Sequence, residues 1–319
     1  MVLFLALSLL SGALELGSLF YALEIQAPVP LLFPLVYQLG NLLFFPALVT
    51  PRRARGLCIL GLTLAVLGTP VLFLPALLAA SLCVQAARTE QKSACPTWLK
   101  RTFRIGGFLF SPLAAVLPGL ILASCLLTAW MTLARGSGAR ASEETILLPV
   151  MVFHQMHYFT YAYIMPAWVL ARTGSLLAAA VSFALTWIVY LIPQAAAERA
   201  KHISHRAVFF ACHSFLLLVL AAMCIAAALD RPWVLAALWM LTGLGGGSVF
   251  CIQKLTPACR NTDLTLSENA GHVLGCLTAV CLSCTVPGRL MIPALTGSSC
   301  AFVGLTLLSA QKIIRWEDC

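Results

Sequence analysis

Long apolar runs, broken only by short polar or basic segments, repeat along the whole chain. They lie near 2–24, 29–50, 56–69, 71–87, 103–117, 118–134, 146–170, 174–193, 206–228, 232–252, 268–286 and 290–311. A helix needs about 20 apolar residues to cross a hydrocarbon layer about 30 Å thick. Each run therefore reads as one crossing, and lipid dictates helices because it leaves no partner for free backbone groups. Two stretches are tight, since 56–87 and 103–134 each offer only 32 residues for two crossings. Pro70, after Gly68, and Pro118, before Gly119, sit near their midpoints and suit sharp turns between short helices.

Composition agrees with that pattern. Of 319 residues, 61% are apolar and 10% are charged, with a mean hydropathy of +0.95. An ordinary soluble domain carries about 25% charge, so a nucleic-acid binder, a disulfide-stapled secreted domain and a cytosolic enzyme are all excluded. The net charge of +9 reflects the gathering of Lys and Arg in cytoplasmic loops. Twelve crossings with the N-terminus inside place 17 basic residues on the cytoplasmic side and 3 outside, among them Arg88 and Arg104 inside. Ten crossings give 12 against 8, so the orientation rule favours twelve. Met1 to Ala13 lacks the basic start of a signal peptide and reads as part of the first crossing. Both termini are then cytoplasmic, in a multi-pass cell membrane protein, with a bacterial inner membrane as the expected site. The thirteen Cys lie mostly in apolar runs and read as small buried hydrophobes. Cys281 and Cys284, a CxxC inside a predicted span, read the same way.

The charged stretch Arg135 to Glu144 divides the chain into two sets of six crossings. The expected organisation is an N-terminal bundle over 1–134, a cytoplasmic loop over 135–145 and a C-terminal bundle over 146–319. Each half has a basic loop after its second crossing, Pro51-Arg52-Arg53-Ala54-Arg55-Gly56 in one and Glu198 to Arg206 in the other. Lys100-Arg101-Thr102-Phe103-Arg104-Ile105-Gly106-Gly107 opens the fifth crossing. In this layout the chain resembles the major facilitator superfamily of secondary transporters. It is shorter than most members, and Phe45 to Thr50 lacks the acid of the family's loop signature. The resemblance implies an all-α fold of twelve transmembrane helices, as two six-helix bundles around a central cavity. It also implies that crossings 1 and 7 hold equivalent places facing that cavity, with Glu15 opposite His154 and His157.

Polar groups inside a bilayer are expensive to keep and point to function. His154, His157, Tyr158 and Tyr161 fall at i, i+3, i+4 and i+7, which puts them on one helical face. That face reads as a cavity lining, or else as hydrogen-bonding glue between helices. Ser8, Ser11, Gly12, Glu15 and Ser18 form a second stripe whose small residues suit close packing. Glu15, near the centre of its run, is a candidate proton carrier or a structural hydrogen-bonding group. Tyr37, Gln38 and Asn41 share a face of the second crossing. His272, with Cys276 one turn on, is a further candidate for the cavity, whereas His213 reads as a lone interhelical partner. Gly243, Gly245, Gly246 and Gly247 lack the Gly-Lys-Ser/Thr of a phosphate loop and read as sites of bending or close packing.

The expected function is a secondary transporter acting by alternating access, coupled to protons through Glu15, His154 and His157. Its cavity is assigned Tyr37, Gln38, Asn41, His154, His157, Tyr158, Tyr161 and His272. Export of a small organic molecule or a metal-chelating metabolite, in proton antiport, fits the aromatic lining. No catalytic residue, cofactor or nucleic-acid partner is expected, and the protein reads as a monomer. The competing reading is a membrane enzyme with a His-ligated metal or haem, suggested by the HxxH pairs His154/His157 and His202/His205.

Overall fold

The computed structural model describes residues 1–43, 51–67, 69–90, 97–134, 146–199, 204–256 and 261–313. The expected central loop 135–145 and the loop-signature region 45–50 lie outside the described residues. Fifteen α-helices form among those described, and no strand. The chain divides into two compact units, Met1–Glu144 with Leu170–Ala184, and Thr145–Val169 with Leu185–Cys319.

The first unit contains α1 (Val2–Glu24), α2 (Leu32–Leu43), α3 (Pro51–Val66), α4 (Pro70–Glu90), α5 (Thr97–Leu109), α6 (Ser111–Val116) and α7 (Pro118–Leu133). Pro51, Pro70 and Pro118 each open a helix, where a missing backbone N–H does no harm. The tight stretch 56–87 is relieved because α3 begins at Pro51 and α4 runs on to Glu90, and 103–134 because α5 begins at Thr97. Helix α1 packs on α5, α6 and α7, while α4 packs on α2, α3 and α7. Leu14, Leu77, Leu122 and Leu126 lie in the core they share.

Helices α9 (Ile164–Thr173) and α10 (Leu176–Arg199) pass through both units. The second unit adds α8 (Pro149–Phe159), α11 (His205–Ala228), α12 (Pro232–Gly246), α13 (Val249–Leu255), α14 (Asn261–Thr285) and α15 (Gly288–Ile313). Here α8 packs on α14 and α15, and α11 on α12 and α15, with Val150, Met151, Phe209 and Phe250 in the core.

Three of the expected single helices are broken, the first of them 103–117, which is interrupted at Phe110 between α5 and α6, just before Pro112. The run 146–170 is interrupted over 160–163, between α8 and α9. Pro166 explains the break, since it has no N–H for the Ala162 carbonyl and its ring crowds that carbonyl. Tyr161 therefore sits in the turn, one residue beyond Thr160 at the end of the stripe. The run 232–252 is interrupted at Gly247 and Ser248, within the run of poor helix formers Gly245 to Ser248. Six helical stretches are long and apolar enough to cross a membrane unaided: 2–24, 70–88, 176–196, 205–228, 232–252 and 288–311. The others fall short for visible reasons: α3 opens with three arginines, α8 and α9 are split, and α14 opens with Asn-Thr-Asp. Exposure is inverted relative to a soluble protein. Trp233, Val66 and Val71 are at least 80% exposed, while Glu15, His157 and His213 are fully buried, the pattern expected where lipid is the solvent.

Candidate functional site

In the first unit the polar stripe of α1 meets charged residues from two other helices. A Cβ at Gly12 would collide with the Arg104 carbonyl, and one at Gly107 with the backbone of Leu9. Only glycine permits this approach of α5 to α1. Arg104, one turn before Gly107, is thereby delivered to Glu15. Its Nε and Nη2 donate to Glu15 Oε2 at 3.2 and 2.5 Å. Gln38 Nε2 donates to the other carboxylate oxygen at 3.1 Å, and Asn41 Nδ2 donates to Gln38 Oε1 at 3.1 Å. Tyr37 donates to the Ser11 carbonyl at 3.3 Å, and Ser81 donates to the Tyr37 carbonyl. Arg88, near the end of α4, donates to the Ser11 hydroxyl at 2.5 Å. Glu15 is thus one partner of a buried ion pair, and its neighbours on α2 are those expected from the shared face.

In the second unit α8 is held at several points. Asp263 accepts the Ile146 N–H at 2.9 Å, and Ser267 accepts the Leu148 N–H at 2.8 Å. Ser299 on α15 donates to the His157 carbonyl at 2.9 Å. His154, fully buried, lies between a second histidine and a backbone carbonyl. Its Nδ1 is 3.0 Å from His213 Nε2 and its Nε2 is 3.1 Å from the Gly246 carbonyl. His213 Nδ1 is in turn 2.8 Å from the Phe209 carbonyl. Ser248, in the break between α12 and α13, donates to the Gly245 carbonyl at 2.6 Å, with its oxygen 3.3 Å from His213 Nδ1.

The remaining stripe residues are close by. The His157 ring stands edge-on to His154, with centroids 5.1 Å apart. Tyr158 meets Tyr161 and Trp187 edge-on at 5.7 and 5.9 Å. Both ring nitrogens of His157 and the Tyr161 hydroxyl are buried without a well-formed hydrogen bond among the described residues. The His157 ring still interacts with the His154 backbone, and the Tyr161 hydroxyl with the Thr242 hydroxyl. A buried polar group left without a well-formed partner costs about 1–3 kcal/mol. His272 stacks on Phe159 with centroids 3.9 Å apart, and its Nε2 is 4.0 Å from Glu268. Among the described residues, no group of three or more His, Cys, Asp or Glu is arranged to hold a metal ion.

Sequence reasoning missed Arg88, Arg104 and the pairing of His213. The two arginines read as loop charges, although Arg104 and Gly107, three apart, share a helical face. The partner of His213 is 59 residues away, and no local spacing announces it.

No protein-family model matches the chain, and no curated protein sequence matches it. Solved structures do. A D-xylose–proton symporter aligns with 99% of this chain and 96% of its own, at a TM-score of 0.61 and 12% identity. A bacterial homologue of the iron transporter ferroportin, in an inward-facing state, aligns over 99% and 100% at 0.60 and 14% identity. A bacterial metal transporter aligns over 97% and 98% at 0.58 and 13% identity. The chain shares its fold with these transporters. At these identities the likeness establishes the fold alone.

Proposed function

We propose that the protein is a proton-coupled secondary transporter of a small organic solute, working by alternating access. In this reading twelve helical crossings form two six-helix bundles, 1–134 and 146–319. The segment 135–145 joins them on the cytoplasmic side of a cell membrane, where both termini also lie. The protein acts as a monomer and exports its solute in exchange for protons.

One observation carries the reading: the His154–His213 pair is one proton short. Three contacts run through it in series, from the Gly246 carbonyl to His154, from His154 to His213, and from His213 to the Phe209 carbonyl. Each contact needs one N–H, and two neutral imidazoles supply only two. All three hydrogen bonds form only when the pair holds a third proton. When the pair loses it, the Ser248 hydroxyl can turn from Gly245 to His213 Nδ1. Proton occupancy would then bear on the backbone at the break between α12 and α13. Discontinuous helices near a binding site are a recurring device of secondary transporters. His157 and Tyr161, with hydrogen-bonding capacity unspent beside the break between α8 and α9, are the groups assigned to the solute. Glu15 has Arg104 on one oxygen and Gln38 on the other.

The test is accumulation of a panel of labelled organic solutes by inverted and right-side-out vesicles under an imposed pH gradient. At least one solute should accumulate, and a protonophore should abolish accumulation. His154→Gln and His213→Gln should each lose accumulation while retaining solute exchange at equal pH. Accumulation that survives the protonophore, or persists in both variants, would refute proton coupling through this pair.

A further inference from the structure

Among the described residues, the polar cluster on α1, α2, α4 and α5 does not balance its charge. Arg88 and Arg104 bring two guanidiniums, and Glu15 is the one carboxylate among the described residues that acts on Arg88. Arg104 has taken that carboxylate with two of its donors. Arg88 is left with one hydrogen bond, to the neutral hydroxyl of Ser11, and has no carboxylate partner among the described residues. A guanidinium has five N–H donors, so most of those on Arg88 are unspent. The surplus charge lies beside Ser11 and Glu15, in the middle of α1, where an uncompensated charge is costly. The arginines are nonetheless reachable: the Arg104 side chain keeps 22% of its surface exposed, and Arg88 is only partly buried.

We infer that this cluster is a binding site for a small organic anion, held chiefly by Arg88. The planar fork of arginine matches a carboxylate or phosphate through two parallel hydrogen bonds. One negative charge brings the cluster to neutrality. The amides of Gln38 and Asn41, next in the chain of hydrogen bonds, are placed for the polar remainder of the ligand. The inference goes beyond the transport reading, because it rests on a charge count in the first unit and not on the histidine pair.

Thermal unfolding of the purified full-length protein, in a constant chloride background, tests it. The probes are succinate, benzoate and glycerol 3-phosphate, each paired with a neutral counterpart (succinamide, benzamide and glycerol). At least one anion should raise the midpoint in a saturable way while its counterpart does not. Arg88→Gln should weaken the response at least tenfold, and Arg88→Lys should keep part of it. Glu15→Gln, which raises the charge of the cluster, should bind the same anion at least as tightly, so the inference stays testable even if Arg88→Gln misfolds. No stabilising anion, equal stabilisation by the neutral counterparts or by added chloride, or an unchanged response in Arg88→Gln would overturn it. Anion binding without solute accumulation would leave this site standing and sink the transport reading. Accumulation of neutral solutes without anion binding would do the reverse.

Discussion

The ion pair between α1 and α5 makes a quantitative prediction through a double-mutant cycle of Glu15 and Arg104. Glu15→Gln removes the carboxylate and leaves Arg104 and Arg88 facing each other across Ser11 and Gln38. Breaking a fully buried pair costs about 3–5 kcal/mol. Because the Arg104 side chain is 22% exposed, water recovers part of that loss, and about 2–4 kcal/mol is expected here. Arg104→Gln strands a carboxylate with no exposed surface; the nearby Arg88 offsets some of the cost, so a loss at the lower end of that range is expected. The double variant places two amides in hydrogen-bonding reach, and swapping both partners of a buried pair is often close to neutral. At about 2–4 °C per kcal/mol for bundles of this size, Glu15→Gln should lower the midpoint by about 4–16 °C and Arg104→Gln by about 4–8 °C. The double variant should recover most of that fall. The assay is intrinsic-fluorescence unfolding of the four proteins in one detergent. Single-variant shifts that merely add in the double would show that the two groups are not coupled. The cycle also separates two roles for Glu15. As a counter-ion it can be replaced together with Arg104, and the double variant should still accumulate solute. An unchanged melting profile with abolished accumulation would instead make Glu15 a proton carrier.

Two further predictions concern packing and the unmet polar groups. Gly107→Leu should drive α5 away from α1, since even a Cβ there meets the Leu9 backbone; overpacking typically costs about 1–3 kcal/mol, and backbone contact sets this site above that range. Loss of monodisperse protein after purification is the expected result, and a wild-type midpoint would refute the close approach. Tyr161→Phe removes a buried hydroxyl that lacks a well-formed hydrogen bond. It should raise the midpoint, because an unsatisfied group costs about 1–3 kcal/mol, while weakening solute affinity about tenfold. A variant less stable than wild type with unchanged affinity would make that hydroxyl structural.

How much of this was legible in the sequence depends on whether the signal was local. The stripe Ser8, Ser11, Gly12, Glu15 and Ser18 was legible as a face of α1, and it is buried along its whole length, although α1 is buried on every face from Ser11 to Phe20. The shared face of Tyr37, Gln38 and Asn41 was likewise legible, and it meets α1 at Glu15 and Ser11. Arg88 and Arg104 were misplaced because a loop-charge count weighs how many cations lie on each side and not which way they point. Gly107 carried the correction, since a glycine one turn beyond an arginine marks the face along which another backbone can approach. The stripe on the seventh run was legible only as far as Tyr158. Pro166 breaks the helix four residues after Ala162, which was readable but was outweighed by continuous hydrophobicity. The partnership of His154 with His213 was not readable at all, because it depends on α8, α11 and the end of α12 meeting in space.

In the proposed function, that meeting point is where a proton would bear on the backbone. Helix α8 is fixed at its start by Asp263 and Ser267 and near its end by Ser299, so His154 occupies a rigid element. Its partners are less constrained: Gly246 ends α12, and Ser248 sits in the break before α13. Gly243 and Gly247 lie against the backbone of α10 at Thr186 and Tyr190, so the break is tightly seated as long as its hydrogen bonds hold. Removing one proton leaves one of the three contacts through the histidines unmade. The side chain best placed to make up that loss, Ser248, belongs to the break itself. Under the proposed proton coupling, loss of one proton from the histidine pair on this fixed helix would reach the backbone of the break through Ser248.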